Sequence, residues 1–249
     1  MSEHNSDFPQ FYVTSEQPCP YLAGRLERKL FTHLTPDRSP QVVDNMLRGG
    51  FRRSQHIAYL PYCDGCSACV SVRVPVDTFQ PSRSQRRVRN LNSDLSSRVV
   101  PAKVTNEHYS MFRDYIDHRH GDGGMADMSV QDFAMMVEDT TVKTSLIEYR
   151  RRSGDTADKE PPLAAAALVD QLSDGLSMVY SYFDPDLSHR SPGTYLILSH
   201  IERARQMGLP YLYLGYWIGG SKTMDYKTRF LPQQHLTGDG WKDWIDCED

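Results

Sequence analysis

At 249 residues, 39% hydrophobic and 24% charged, the chain is long enough for one large domain or two small ones with a substantial buried core. The start, Met1 to Gln10, is polar and acidic and lacks the basic and apolar regions of a secretory signal. No stretch approaches the roughly 20 apolar residues that span a bilayer, so no membrane association is expected and the cytoplasm is the expected location.

Phe11-Tyr12-Val13-Thr14 reads as a short strand, followed by a polar, Arg-containing segment with Leu22, Leu26 and Leu30 at helical spacing. Gln41 to Arg48 reads as a short helix stopped by Gly49-Gly50. Val70 to Val76 alternates strictly and is β-branched, a strand whose Pro75 belongs near an edge or an end. Arg98 to Val104 is a further strand, and Thr105 caps a helix with Tyr109, Phe112 and Ile116 on one face that ends at Gly121. Ser129 starts a second helix carrying Phe133, Met136 and Val137. Strands are expected at Lys143 to Tyr149, Leu163 to Val169 and Leu176 to Phe183, the last two joined by the tight turn Ser173-Asp174-Gly175. A long helix runs from about Pro192 to Met207, with Gly208 just past its end, and Tyr211 to Tyr216 is one more buried strand.

This order, from residue 98 on, is strand, helix, helix, three strands, helix, strand, the order of the acyltransferase fold called GNAT. An α/β fold with a mixed, largely antiparallel sheet over 98–249 is therefore expected, preceded by a smaller Cys-containing region over 1–97. The net charge of −4 is unevenly spread, with 13 Lys/Arg against 9 Asp/Glu in residues 1–100 and 15 against 23 in the remainder. An anionic partner met by the first part would explain the asymmetry, although a solvated basic face is the simpler reading of the charge alone. The densest basic run holds Arg83, Arg86, Arg87 and Arg89, with Arg48, Arg52 and Arg53 upstream, and arginines on such a surface make bidentate phosphate contacts.

The segment Tyr182-Phe183-Asp184-Pro185-Asp186, followed by Arg190-Ser191-Pro192-Gly193-Thr194-Tyr195, ends a strand and opens a helix. Free backbone N–H groups at a helix start, with Gly for close approach and Arg190 beside them, make an anion site. Together with Tyr211-Leu212-Tyr213-Leu214-Gly215-Tyr216-Trp217-Ile218 and Met224-Asp225-Tyr226-Lys227, this run resembles the arginyl-tRNA–protein transferase family. Cys19-Pro20-Tyr21-Leu22, the stretch Cys63 to Val76 and Phe79 to Arg87 resemble the bacterial branch of that family, the aspartate/glutamate leucyltransferases. The resemblance covers nearly the whole chain with the motifs in order.

It implies transfer of leucine from leucyl-tRNA to the α-amine of proteins that begin with Asp or Glu, which marks them for N-end-rule degradation. No cofactor is required, because the aminoacyl ester is already activated. The chemistry needs a deprotonated amine held in a near-attack pose and stabilisation of the oxyanion and the leaving hydroxyl. Asp184 and Tyr182 are the expected catalytic residues, although an Asp-Pro turn or cap explains Asp184 equally well and a core position explains a strand Tyr. Arg190, Gly193, Thr194, Tyr195, Arg83, Arg86 and Arg87 are expected to meet the tRNA, with Tyr216 and Tyr226 as further surfaces for its terminal adenine. One of Arg73, Lys222, Lys227 and Arg229 is expected to pair with the acidic side chain of the acceptor.

Cys63, Cys66 and Cys69 form C-x-x-C-x-x-C, with Cys19 as a candidate fourth ligand for Zn²⁺ or an iron–sulfur cluster. Eukaryotic relatives carry C-x-x-C near the N-terminus, but the position three after Cys19 is Leu22, so a fourth ligand is not assured and thiols without a metal are the simpler reading. With Cys247 the count is odd, which does not read as a disulfide framework. Other readings are arginyl-tRNA as donor, an acyl-CoA N-acetyltransferase, or a zinc-dependent nucleic-acid-binding module. The acetyltransferase would need a small residue where Tyr195 stands, and the zinc module leaves the ordered motifs unexplained.

Overall fold

The computed structural model describes residues 9–119, 125–152 and 160–244. The first part builds short strands: β1 (Tyr12–Val13), β2 (Gln17–Pro18), β3 (Leu26–Glu27) and β4 (Lys29–His33), then helix α1 (Pro40–Arg48), β5 (Arg52–Ser54) and β6 (Ile57–Pro61). Strands β1, β4, β6 and β5 form a small antiparallel sheet in that order. The spacing of Leu22, Leu26 and Leu30 is therefore not helical: Leu30 pairs with Val13 on one side and Leu60 on the other. Long-range pairing outweighs a three-residue pattern that Gly24, at φ +74°, interrupts.

The chain continues through β7 (Cys69–Pro75), α2 (Arg83–Leu91), β8 (Leu95–Pro101), α3 (Asn106–Arg119) and α4 (Val130–Glu138). It then forms β9 (Thr144–Arg151), β10 (Leu163–Gln171), β11 (Gly175–Phe183), a 3₁₀ turn (Pro185–Arg190) and α5 (Pro192–Gln206). After β12 (Tyr211–Ile218) come a second 3₁₀ turn (Asp225–Arg229), β13 (Gln233–Thr237) and β14 (Gly240–Trp244). The basic run is a helix, α2, which the sequence reading treated only as charge. Its start was encoded as a capping box in which the Ser82 side chain accepts from the Gln85 N–H and Gln85 accepts from the Ser82 N–H. Ser129 and Asp132 cap α4 in the same way, and Thr105 Oγ1 accepts from the His108 N–H at the start of α3. The expected stop of α3 at Gly121 lies outside the described residues.

One eight-stranded sheet, in the order β14-β13-β7-β12-β11-β10-β9-β8, carries the fold. All its neighbours are antiparallel except β11 and β12, so the sheet is mixed and largely antiparallel. This is the GNAT-like arrangement. Strand β7, from before residue 97, lies between β12 and β13, both from after it, so the large sheet draws on both parts of the chain. Alternation assigns the faces. Tyr182 meets Phe112 of α3 and Phe133 of α4, whereas Tyr149 meets Tyr195 and His200 of α5, so α3 and α4 cover one face and α5 the other.

The small sheet is tied to the large one by buried charge. Arg53 of β5 donates from Nε and Nη2 to both carboxylate oxygens of Asp170 on β10, at 2.7 and 2.9 Å, with both side chains almost fully buried. Bidentate geometry of this kind offsets the desolvation of both ions. Arg48 pairs with Asp44 and Asp174 near the β10–β11 turn. Of the three upstream arginines expected on a phosphate surface, Arg53 is thus a buried fastener and Arg48 a partly exposed one. The third, Arg52, has a different place.

Candidate active site

Strands β11 and β12 are in parallel register only at Gly175–Tyr211, Leu176–Leu212 and Ser177–Tyr213. Beyond that the pairing of β12 with β7 slips between Tyr213 and Gly215, and Gly215 adopts φ +78°. A bulge of this kind bends its strand, and here it opens a V between β11 and β12. Strands that part leave carbonyls on the facing edges without ladder partners. Two cations satisfy them. Arg52 Nη2 donates to the Met178 carbonyl at 2.5 Å and Nη1 to Ser177 Oγ at 3.3 Å on the β11 side. Lys227 Nζ donates to the Tyr216 carbonyl at 2.5 Å on the β12 side.

Neither cation has a carboxylate within ion-pair distance among the described residues. Lys227 is only 5% exposed and is the one buried lysine among them. Burial, reinforced by the positive charge of Arg52, lowers its amine from 10.5 to about 7. A desolvated amine poised near neutrality and lacking a counter-ion is the type of group found where proton transfer occurs. Around it, the Tyr226 ring centre lies 5.9 Å from Nζ, and the Tyr216 hydroxyl, raised by burial, donates to the Gly50 carbonyl at 2.9 Å. Tyr226 is raised by burial and by its proximity to Tyr115, and Arg119 also lies close enough to act on it.

The other expected site residues fall into distinct places. Asp184 caps the 3₁₀ turn by accepting from the Asp186 N–H at 3.0 Å, and Arg151 reaches it at 3.5 Å. Tyr182 is 1% exposed, wedged between Phe112 and Phe133, with its hydroxyl unpartnered. Arg190 is spent on Asp94 and the Leu91 carbonyl, joining the 3₁₀ turn to the end of α2. The α5 N-terminus does present amides: Pro192 has no N–H, Ser191 at φ +53° gives no side-chain cap, and Gly193 and Thr194 follow. A Cβ on Gly193 would meet only Phe183, at 3.9 Å, so glycine leaves room rather than relieving a clash there. Tyr195 is half-buried against Tyr149.

Arg73 is clamped between the rings of Tyr211 and Trp241, 3.5 and 4.4 Å from their centres, and donates to Gln234 Oε1 and the Tyr213 hydroxyl. It stands opposite Tyr213, where β11 and β12 are still paired, and its hydrogen-bonding capacity is engaged in holding β7, β12 and β13 together. Lys222 and Arg229 are exposed on the loop and turn that carry Lys227. Arg83, Arg86 and Arg87 are exposed on α2, whose Gln85 donates to the Arg229 carbonyl at 2.8 Å, so this basic face adjoins the Lys227 turn.

The four cysteines Cys19, Cys63, Cys66 and Cys69 share one neighbourhood, each partly buried. Burial, with Cys63, Cys19 and Cys66 nearby, pushes the Cys69 thiol up to about 11. Cys66 is instead lowered by the Ala68 N–H and by Arg25, whose Nη1 is 3.2 Å from its sulfur, while Cys63 accepts from the Arg28 N–H. Among the described residues no three His, Cys, Asp or Glu side chains are grouped to hold a metal ion as they stand.

Two features escaped the sequence reading. Arg52 was counted only as surface charge, yet Gly215 within a strand was the available signal of a bulge or close approach. On the α3-covered face, Glu148 is buried and receives hydrogen bonds from Arg98, Arg150 and His108. His108 Nδ1 accepts from the Thr105 N–H, so Nε2 carries the proton directed at Glu148. Burial raises Glu148, but hydrogen bonds from Arg150, Arg98 and His108 outweigh it and hold the carboxyl near 2. No motif announces this network.

A GNAT-like sheet whose V holds two cations without a carboxylate partner among the described residues suits the class of acyl-transfer enzymes. Family models described as arginine-tRNA-protein transferase, N terminus and C terminus, match residues 17–87 and 107–237. The chain belongs to that family. It is similar to proteins named aspartate/glutamate leucyltransferase: 59% identical to one from Xanthobacter autotrophicus, over 97% of this chain and 98% of that one. One from Nitrobacter winogradskyi is also 59% identical, over 97% of this chain and 94% of that one. In fold the chain is similar to the crystal structure of FemX, with a TM-score of 0.51 at 11% identity, over 87% of this chain and 71% of that one. Among the described residues no helix is long and apolar enough to cross a membrane.

Proposed function

We propose that this chain is an aspartate/glutamate leucyltransferase, which moves leucine from leucyl-tRNA onto the α-amine of proteins beginning with Asp or Glu. The carrying observation is the 59% identity to proteins of that name across nearly the whole chain. The reaction forms a C–N bond to the leucyl carbonyl carbon and breaks its bond to the tRNA 3′-oxygen. It needs no cofactor, because the ester supplies the activation, and it runs in the cytoplasm, where charged tRNA is found. Its products feed N-end-rule degradation.

The exposed arginines Arg83, Arg86 and Arg87 on α2 suit the tRNA backbone, and the amides of Gly193 and Thr194 suit a phosphate near its 3′ end. The V between β11 and β12 receives the aminoacyl end, with Arg52 as a fixed positive charge toward the developing oxyanion. Lys222 and Arg229, exposed on the segment around Lys227, are the better-placed partners for the acceptor carboxylate now that Arg73 is engaged elsewhere.

The test is a transfer assay with tRNA charged with labelled leucine or arginine and peptides beginning with Asp, Glu or Ala. Label from leucine on the Asp and Glu peptides only is the expected result. No label on acidic peptides would sink the proposal, and label from arginine alone would replace the donor.

A further inference from the structure

We infer that Lys227 is the base of the transfer reaction, taking a proton from the attacking α-amine and passing it to the departing tRNA oxygen. This rests on the leucyl-transfer reading above. The geometry carries it. Lys227 is held by a short hydrogen bond in which one N–H of Nζ points to the Tyr216 carbonyl, on the β12 edge of the V. A neutral amine in that pose keeps a lone pair and a second N–H, and no carboxylate among the described residues claims either. Among the described residues, Arg52, across the V on the Met178 carbonyl, is the one charged group acting on Nζ. Tyr226 on the same turn offers its ring and Tyr216 on β12 its carbonyl, while Gln233 donates to the Lys227 backbone carbonyl rather than to Nζ.

The acceptor amine nitrogen attacks the ester carbonyl carbon, whose π electron pair moves onto oxygen beside Arg52. The nitrogen, now positively charged, gives one proton to the Lys227 lone pair. As the electron pair on oxygen returns and the C–O bond to the tRNA breaks, the Lys227 ammonium protonates the leaving 3′-oxygen. Lysine ends neutral, and one ester has become one amide and one hydroxyl. Burial lowers the amine to about 7, so near neutral pH it is available in both forms. Arg52 is a positioning residue for this purpose: its charge favours the neutral amine.

Two variants and one direct measurement test the inference. Lys227→Gln keeps an N–H donor for the Tyr216 carbonyl but has no lone pair to take a proton. It is expected to lose about 10²–10⁴-fold in kcat, together with the acidic limb of the kcat profile. Arg52→Gln keeps a donor for Met178 but removes the charge. The limb should then move to higher pH, with activity recovering partly above pH 8, whereas the free peptide's own α-amine titrates identically with either enzyme. ¹⁵N-lysine NMR of the wild-type protein reads the amine directly and does not depend on either variant folding. A midpoint near 7 that rises in Arg52→Gln supports the role. A Lys227 midpoint of 10 or above, or a folded Lys227→Gln with its limb and rate within tenfold of wild type, overturns it. Wild-type protein that transfers no leucine at all would instead bring down the leucyl-transfer reading, and this inference with it.

Discussion

The guanidinium carbon of Arg52 stands 2.8 Å from the position a Cβ on Gly215 would occupy, although the two residues belong to different sheets. The bulge that opens the V and the cation that fills it are therefore a single arrangement. Gly215→Ala would suffer twice, from φ +78° and from collision with the guanidinium. A left-handed non-glycine residue costs on the order of 1–3 kcal/mol. In a chain of this size each kcal/mol lowers the melting temperature by about 2–4 °C. Combined with Arg52→Ala, the collision disappears but the backbone cost stays, so the double variant should be less destabilised than the sum of the singles. Strict additivity in thermal melts would refute the coupling.

Tyr182→Phe and Asp184→Asn are expected to keep kcat within a few-fold of wild type. The Tyr182 hydroxyl is buried without a partner, so deleting it is neutral or stabilising. Asp184 caps a turn, a task that Asn performs nearly as well. A loss of about 10² in kcat for either, at unchanged melting temperature, would restore it to the chemistry.

Replacing Arg83, Arg86 and Arg87 with Ala should weaken tRNA binding while leaving the melting temperature nearly unchanged, because all three are exposed on α2. Each lost phosphate contact should also reduce the slope of log affinity against log salt by about 1. Arg190→Ala should behave differently, lowering stability, since its guanidinium is committed to Asp94 and the Leu91 carbonyl. Equal salt slopes for the triple variant and wild type would remove α2 from the tRNA surface.

Glu148 makes stability depend on acid. Its carboxyl is depressed from 4.5 to about 2 in the folded protein, so the stabilisation it brings is fully present above 4.5 and lost as pH falls toward 2. Glu148→Gln should melt well below wild type at pH 7, and the gap should narrow steadily between pH 5 and pH 3. A gap independent of pH would show that the network of Arg98, Arg150 and His108 does not depend on the carboxylate.

Much of this was legible in the sequence because it is local. The caps at Thr105 and Ser129, the turn at Ser173-Asp174-Gly175 and the alternation of Val70 to Val76 each act within a few residues, and the element order from residue 98 followed from them; the Ser82 capping box is as local, but the run of arginines masks it. The GNAT-like order and the family resemblance rest on the same local signals. Where tertiary pairing competed with a short pattern, as at Leu22, Leu26 and Leu30, the pattern lost, because a strand with partners on both edges satisfies more backbone groups than a lone turn of helix.

By itself, then, the sequence determined the elements from residue 98 to Tyr216 and their order, the family, and the stretch Met224-Asp225-Tyr226-Lys227 that bears the buried amine. Only the tertiary structure decided what each charge does. Arg52, Arg53 and Arg73 are equivalent as letters, and each is assigned by a partner more than a hundred residues away: the Met178 carbonyl, the Asp170 carboxylate and the Tyr213 hydroxyl. A charge takes its energy from the desolvation and the partners it meets, and those exist only once the sheets have closed around it.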